Sequence, residues 1–207
     1  LDGKIAPAEW QDGRTFQLKK VGGGEVTSPT DVFLGRDDKM LYVGFLCHES
    51  DMKNIRKQWT TPEERDNAVW RDDTVEVLLD VWNAGDPDQF RQFIVNPNGV
   101  LYDAVGRNAR KNFDVRVASW QNADNWSVEL AIPLAGVQQE GVILKDAGMF
   151  VLRQVLSFGY QYFRESTRKP TLTDFDYLEL PQGTGVLRSF NEVEREALLR
   201  SEQQSRD

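Results

Sequence analysis

The stretch VWRDDTVEVLLDVW, residues Val69 to Trp82, carries the strongest strand signal in the chain and decides the predicted fold. After its two aspartates, aliphatic residues occupy every second position, which is the pattern of a β-strand with one buried face. The residues predicted to face the core are Val75, Val77, Leu79 and Val81. Glu76 then lies on the opposite side, with Trp70 at one end. This glutamate is a candidate catalytic acid, a candidate ligand contact, or simply a solvent-facing residue.

Nine further segments alternate in the same way and are rich in Val, Phe, Tyr, Leu and Trp, so they are also predicted as strands. They are residues 15–21, 31–37, 39–49, 89–97, 99–106, 114–121, 125–133, 149–160 and 176–180. Turn residues separate them, and Asn98-Gly99 is the strongest hairpin signal. About ten short strands with little helix predict an all-β, antiparallel β-sandwich, with a barrel as the alternative.

Helical signal is concentrated at the C-terminus. Ser189 is a candidate N-cap with Glu192 three residues later, and apolar residues follow at near-helical spacing. We therefore predict a sandwich domain over residues 1–186 and a short amphipathic helical tail over 187–207. The polar segment 51–70 is predicted to be a long surface loop.

Composition narrows the classes of partner. The formal net charge of −8 argues against nucleic acid or an anionic membrane surface. The single cysteine, Cys47, excludes an intramolecular disulfide, and its apolar surroundings predict a buried filler. The single histidine, His48, excludes a zinc site built from several histidines within the chain. We recognise no signal peptide and no apolar stretch long enough to cross a bilayer.

The polar side of the Glu76 strand has the composition that a sugar site requires. An indole can cover the apolar C–H face of a pyranose, while carboxylates and amides bind its hydroxyls. In the segment after residue 89, alternation places Gln92 and Asn96 opposite the core residues, and either Arg153 or Gln154 is expected on the non-core side. A polar outer face is also normal for any sandwich, so these residues alone do not decide between a sugar site and an ordinary solvent-facing surface.

Five segments together resemble the family 9 carbohydrate-binding modules and the wider DOMON-like sandwich group. They are LDGKIAPAEW, DVFLGRDDKMLYVGF, VWRDDTVEVLLD, QFIVNPNGVLYDA and WSVELAIPLAGV, and they cover roughly residues 1–180. The resemblance implies a jelly-roll-like sandwich that binds a carbohydrate ligand without catalysis. It also implies a secreted or periplasmic location, a polysaccharide-degrading enzyme as partner, and calcium as a candidate structural ion.

Such modules clamp a sugar between two tryptophans, and the W-x-D-D-x-V-E motif matches Trp70 and Glu76 to the first tryptophan and its glutamate. The second tryptophan has no counterpart in the late region, where Tyr160 and Phe163 are candidate substitutes, while Trp59 could fold over the site from the preceding loop. An arginine that these modules often use is replaced here by Ile94. The predicted ligand-binding residues are Trp59, Trp70, Asp72, Glu76, Arg91, Gln92, Asn96, Arg153, Tyr160 and Phe163.

An enzyme is the first alternative, because glycoside hydrolysis needs only two carboxylates at a suitable separation. Asp72, Asp73 and Glu76 supply carboxylates, although we expect Asp73 to brace the loop. Haem binding through His48 and a methionine is the second alternative, and here a hydrogen bond from His48 to a neighbour is the simpler expectation. A calcium site would draw on oxygen ligands near Asp2, Glu9 or residues 36–38.

Overall fold

The computed structural model describes residues 1–20, 26, 28–37, 39–80, 87–106, 108–137, 148–154, 173–174 and 186–187. The strands in this part of the chain are β1 (Arg14–Gln17), β2 (Lys19–Lys20), β3 (Thr30–Arg36), β4 (Met40–His48), β5 (Thr74–Asp80), β6 (Arg91–Val95), β7 (Leu101–Val105), β8 (Arg116–Gln121), β9 (Asn125–Pro133), β10 (Gly148–Gln154), β11 (Thr173–Asp174) and β12 (Val186–Leu187). Short 3-10 helices lie at Pro7–Trp10, Pro62–Glu64, Val69–Arg71 and Pro87–Gln89, and one α-helical turn, α1, covers Leu134–Val137.

Two five-stranded sheets form the sandwich. The front sheet has the order β12-β10-β5-β6-β7, and the back sheet has the order β1-β3-β4-β9-β8. Neighbouring strands are antiparallel, except for the short parallel contact of β10 with β12. The predicted antiparallel sandwich is therefore confirmed, and the described strands form two separate sheets rather than the alternative closed barrel.

The core fills the space between the sheets, and alternation explains which residues enter it. Val75 and Val77 of β5 face residues such as Phe45 of β4 and Trp126 of β9, all fully buried. Cys47 is also fully buried, and burial raises the pKa of its thiol to about 12. The predictions that Cys47 is a neutral filler and that β5 is a core strand are confirmed.

The first nine predicted strand segments each contain an observed strand. The tenth, at 176–180, lies outside the described residues, and so does the helix predicted after Ser189. Strand β12 spans the predicted boundary between residues 1–186 and 187–207. Segment 51–70 is the predicted long loop, with two 3-10 turns near its end.

The outer face of the back sheet is covered by the N-terminal segment. Trp10 packs over Gly44, where a Cβ would lie 2.8 Å from the indole and 2.8 Å from Ile5, so only glycine fits. The carboxylate of Glu129 accepts the backbone N–H groups of Asp2 and Gly3 at 2.9 and 2.8 Å. No helix in the described part of the chain is long and apolar enough to cross a membrane.

Candidate functional site

The candidate site lies on the outer face of the front sheet, where three neighbouring strands contribute side chains at the same level. Glu76 of β5 pairs with Ile94 of β6, which pairs in turn with Tyr102 of β7. Gln92 projects from the next level of β6 on the same side. This face therefore combines an acid, an amide, a phenol and an aliphatic side chain.

Trp70 stands at the edge of this face and is 40% exposed. It lies in the 3-10 turn just before β5, and its ring meets Tyr102 edge-to-face, with centroids 5.0 Å apart and an interplanar angle of 79°. Beside it, Val69 is fully buried against Ile94 and Val100. The turn is thus anchored by one residue while the next keeps part of its aromatic surface open to solvent.

Glu76 is only 9% exposed and accepts a hydrogen bond from the side-chain amide of Gln92. Its flanking neighbours on this face, Leu78 and Ile94, are apolar and buried. Burial raises the pKa of the Glu76 carboxyl to about 7, against a smaller opposing effect of the Gln92 hydrogen bond. Near neutral pH this group therefore exists in both the protonated and the ionised form.

Trp59 reaches the same face from the long loop, as the sequence suggested. It is partly buried and packs against a small apolar cluster on the outer side of the front sheet. The members of this cluster are Val69, Ile94, Val100, Tyr102 and Ala104. Trp59 and Trp70 thus rest on a shared apolar base that lies outside the main core.

Asp72 and Asn96 belong to a brace that holds this loop against the β6–β7 hairpin. The Asp72 carboxylate accepts hydrogen bonds from the backbone N–H of Trp59 at 3.2 Å and from the Asn96 amide at 2.9 Å. The side-chain amide oxygen of Asn96, Oδ1, accepts the backbone N–H groups of Asn98 and Val100. Both Asp72 and Asn96 are fully buried. Their burial does not support the predicted direct contact with a ligand, and their polar atoms instead hold the loop in place.

Asp73 braces the same loop from the other side, as predicted. Its carboxylate accepts the N–H of Arg56 at 2.6 Å, and its own N–H donates to the Arg56 carbonyl at 2.8 Å. The paired aspartates of the motif are therefore both buried and bound to loop backbone. This use of the two carboxylates removes them from the surface where a substrate would bind.

Arg153 does not join this face. It pairs with Val75 in the register and so points inward, where it is 1% exposed. Its guanidinium contacts the Glu49 carboxylate at 3.2 Å and lies 5.6 Å from the ring centre of Trp126. The sequence left the side taken by Arg153 open, and the buried partner Glu49, which is distant in sequence, decides it.

Arg91 also lies on the inner side of the front sheet. It pairs with Leu79, a core residue, and its guanidinium donates to the backbone carbonyl of Gln89. Burial lowers the pKa of this group. The predicted contact of Arg91 with a ligand on the outer face is therefore not supported by its position.

Two further predicted residues, Tyr160 and Phe163, lie outside the described residues. Tyr102 was missed by the sequence analysis, although it sits under Trp70. The position of Tyr102 could have been predicted from the hairpin, because the short turn at Asn98-Gly99 sets a register in which Tyr102 lies opposite Ile94.

The metal and haem hypotheses find no support in the described part of the chain. No three acidic, cysteine or histidine side chains there come together as a metal site. His48 pairs with Asp31, with Nε2 3.0 Å from Oδ2, which agrees with the simpler expectation. The Asp37 carboxylate accepts the N–H groups of Lys39 and Met40 and so closes its own turn.

No family model matches the chain, and no curated protein matches it. Solved structures do match. A family 9 carbohydrate-binding module from Caldicellulosiruptor kristjanssonii in complex with cellotriose aligns with a TM-score of 0.55 at 18% identity, covering 91% of this chain and 87% of that one. The same kind of module in complex with glucose gives a TM-score of 0.55 at 18% identity, with 91% and 89% covered. A putative carbohydrate-binding protein from Bacteroides uniformis gives a TM-score of 0.54 at 14% identity, with 91% and 92% covered. These likenesses establish that the chain has the fold of these proteins.

Proposed function

We propose that this chain is a non-catalytic domain that binds a sugar or the end of an oligosaccharide. The observation that carries the proposal is the exposed indole of Trp70, supported edge-on by Tyr102, on the same sheet face as the Glu76–Gln92 pair. The indole would stack on the C–H face of a sugar ring, and the carboxyl and the amide would bind its hydroxyls.

The expected affinity is modest. A single sugar ring has few buried atoms, and the free energy of stacking and hydrogen bonding is offset by the entropy lost on binding. Dissociation constants on the order of micromolar to millimolar follow from this balance. We also expect Trp59 to line the site, since it packs on the same apolar cluster as the residues around Trp70.

The comparisons support the proposal at the level of the fold. Two of the similar structures contain cellotriose and glucose, and these two sugars are therefore the first ligands to test. A carbohydrate ligand is also consistent with the secreted or periplasmic location and the polysaccharide-degrading partner that the sequence resemblance implies. Cell fractionation and co-purification of the native protein would test those two points.

The direct test is a glycan array followed by calorimetric titration of wild type, Trp70→Ala and Trp120→Ala. Trp120 is the matched control because it is a partly buried tryptophan on the outer face of the back sheet. We expect Trp70→Ala to weaken binding by at least tenfold, as for a central aromatic contact, and Trp120→Ala to leave it unchanged. Equal affinity of wild type and Trp70→Ala would refute this placement of the site.

One observation favours a second candidate, a glycoside hydrolase. The Glu76 carboxyl has its pKa raised to about 7, as a general acid in that reaction requires. Its neighbours Asp72 and Asp73 are bound to the loop backbone, which makes binding the better supported function. Turnover of an aryl glycoside that Glu76→Gln abolishes would favour the enzyme instead.

A further inference from the structure

We propose that a sugar bound at this face displaces the proton that Glu76 carries in the ligand-free protein, so that binding tightens as the pH rises through neutrality. This inference rests on the proposed function and adds a means of regulating it. It begins from the surroundings of one carboxyl group.

The surroundings of Glu76 favour its neutral form. The side chain is 9% exposed, and Leu78 and Ile94 on either side of it are apolar. Among the described residues, its hydrogen-bond partner is the Gln92 amide, and it has no ion-pair partner there. Since Gln92 donates to Oε1, we assign the proton of the neutral carboxyl to the other oxygen, Oε2.

Other titratable groups near this carboxyl do not offer it a positive charge. Tyr102 approaches from β7, and its pKa is raised first by burial and then by the negative charges of Asp66, Glu76 and Asp103. Asp103 itself is paired with Arg65 through two hydrogen bonds of 2.8 Å, so that arginine is already engaged. The register partner of Glu76 on β10 is Leu152, which does not titrate.

A bound sugar would change this balance. A hydroxyl that donates to Oε2 stabilises the ionised carboxylate, and hydrogen bonds to a charged acceptor are stronger than those to a neutral one. The O–H bond of the carboxyl breaks, its proton passes to solvent, and both carboxylate oxygens then accept hydrogen bonds. Ligand and proton thus compete for the same oxygen, and each weakens the binding of the other.

The experiment is a titration with cellotriose at pH 6, 7 and 8, followed by the NMR signal of the Trp70 indole N–H. If binding requires the ionised form, its population rises roughly tenfold between pH 6 and pH 8, and wild-type affinity should rise by the same factor. Glu76→Gln cannot ionise, so its weaker affinity should not vary with pH. Glu63→Gln is the control, since Glu63 is an exposed glutamate of the nearby loop and should keep the wild-type pH dependence.

Two outcomes separate this inference from the proposed function. Saturable binding by wild type with the same dissociation constant at pH 6 and pH 8 overturns the proton coupling and leaves the sugar site standing. Failure of every sugar on the array to bind overturns the proposed function itself. A carbon-13 titration of the Glu76 carboxyl in the ligand-free protein adds an independent readout, with a midpoint near 7 expected and a midpoint near 4.5 contradicting the inference.

Discussion

Glu49 and Glu76 are both buried, but their carboxyl groups have different hydrogen-bond and charge partners. Glu49, 2% exposed, lies between the sheets, and its carboxylate contacts the Arg153 guanidinium at 3.2 Å and the Ser28 hydroxyl at 3.3 Å. Its second oxygen accepts the N–H of Asp51 at 3.1 Å. Glu76, 9% exposed, lies on the outer face of the front sheet with the neutral amide of Gln92 as its partner among the described residues.

The difference distinguishes a structural acid from a candidate functional one. A buried charge that is paired and fully hydrogen-bonded fixes the local geometry, and here Glu49 and Arg153 join the start of the long loop to β10. A buried acid without an opposite charge costs free energy when it ionises, and such groups are concentrated at functional sites. The same residue type therefore stabilises the sandwich in one place and prepares a binding face in the other.

The largest effect is expected from breaking the structural pair. Glu49→Ala leaves the Arg153 guanidinium buried beside Trp126 without its carboxylate, and loss of one partner of a buried ion pair typically costs about 3–5 kcal/mol. Urea unfolding should show this loss in the free energy of unfolding. The double variant Glu49→Ala/Arg153→Met should recover part of it, and a loss below about 1 kcal/mol in the single variant would show that the pair is not structural.

Glu76→Gln is expected to raise the free energy of unfolding rather than lower it. The folded-state pKa of about 7 lies above the ordinary value of 4.5, so Glu76 contributes most to stability below pH 4.5 and progressively less as the pH rises to 7. At pH 8 the substitution should raise the free energy of unfolding by up to about 3 kcal/mol, while at pH 4 the two proteins should be nearly equal. Chemical denaturation at both pH values checks this, and a loss of stability at pH 8 would contradict it.

Removing the hydrogen bonds of the brace around Asn96 should lower stability by an intermediate amount. Asn96→Ala removes the amide that joins Asp72, the Trp59 carbonyl and the hairpin turn, and it leaves buried polar groups without a partner at a cost of about 1–3 kcal/mol. Sugar affinity should fall as well, because the loop that carries Trp59 and Trp70 is no longer fixed. Thermal unfolding together with titration would test both effects, and unchanged affinity would show that the brace does not position the site.

The smallest change in stability is expected for Trp70→Ala. Its ring is 40% exposed and so buries less area than a core tryptophan, and its edge-to-face contact with Tyr102 adds about 0.5–1.5 kcal/mol beyond that burial. Binding should suffer more than folding, which reverses the pattern expected for Glu49→Ala. Measuring the melting temperature and the sugar affinity of the same samples would test this. A variant that is strongly destabilised but binds sugar like wild type would contradict the prediction.

Much of the fold could be predicted from the sequence because alternation is a local signal. The spacing of Val75, Val77 and Leu79 fixes which side of β5 is buried, and the position of Glu76 on the outer side follows from it. The inward orientation of Arg153 could not be predicted in this way, because its ion-pair partner, Glu49, lies 104 residues away along the chain.

The candidate site was only partly predictable, because several of its contacts join segments that are distant from each other in the sequence. Trp70 and Glu76 come from one short motif, and the structure places both on the outer face of the front sheet. Asp72 and Asn96 were expected to contact a ligand, and only the tertiary contact between loop and hairpin shows that they hold each other. Tyr102 depends on pairing between β6 and β7, which alternation within a single segment does not reveal.

The central claim, that sugar binds over Trp70 on the front sheet, is tested most directly by NMR titration of the tryptophan indole signals with cellotriose. Four of the six tryptophans mark three separate places, with Trp70 at the proposed site, Trp126 in the core, and Trp10 and Trp120 on the outer side of the back sheet. We expect a saturable shift of the Trp70 signal while those of Trp10, Trp120 and Trp126 remain in place. A saturable shift of Trp10 or Trp120 with Trp70 unmoved would place the ligand on the other sheet and contradict the claim.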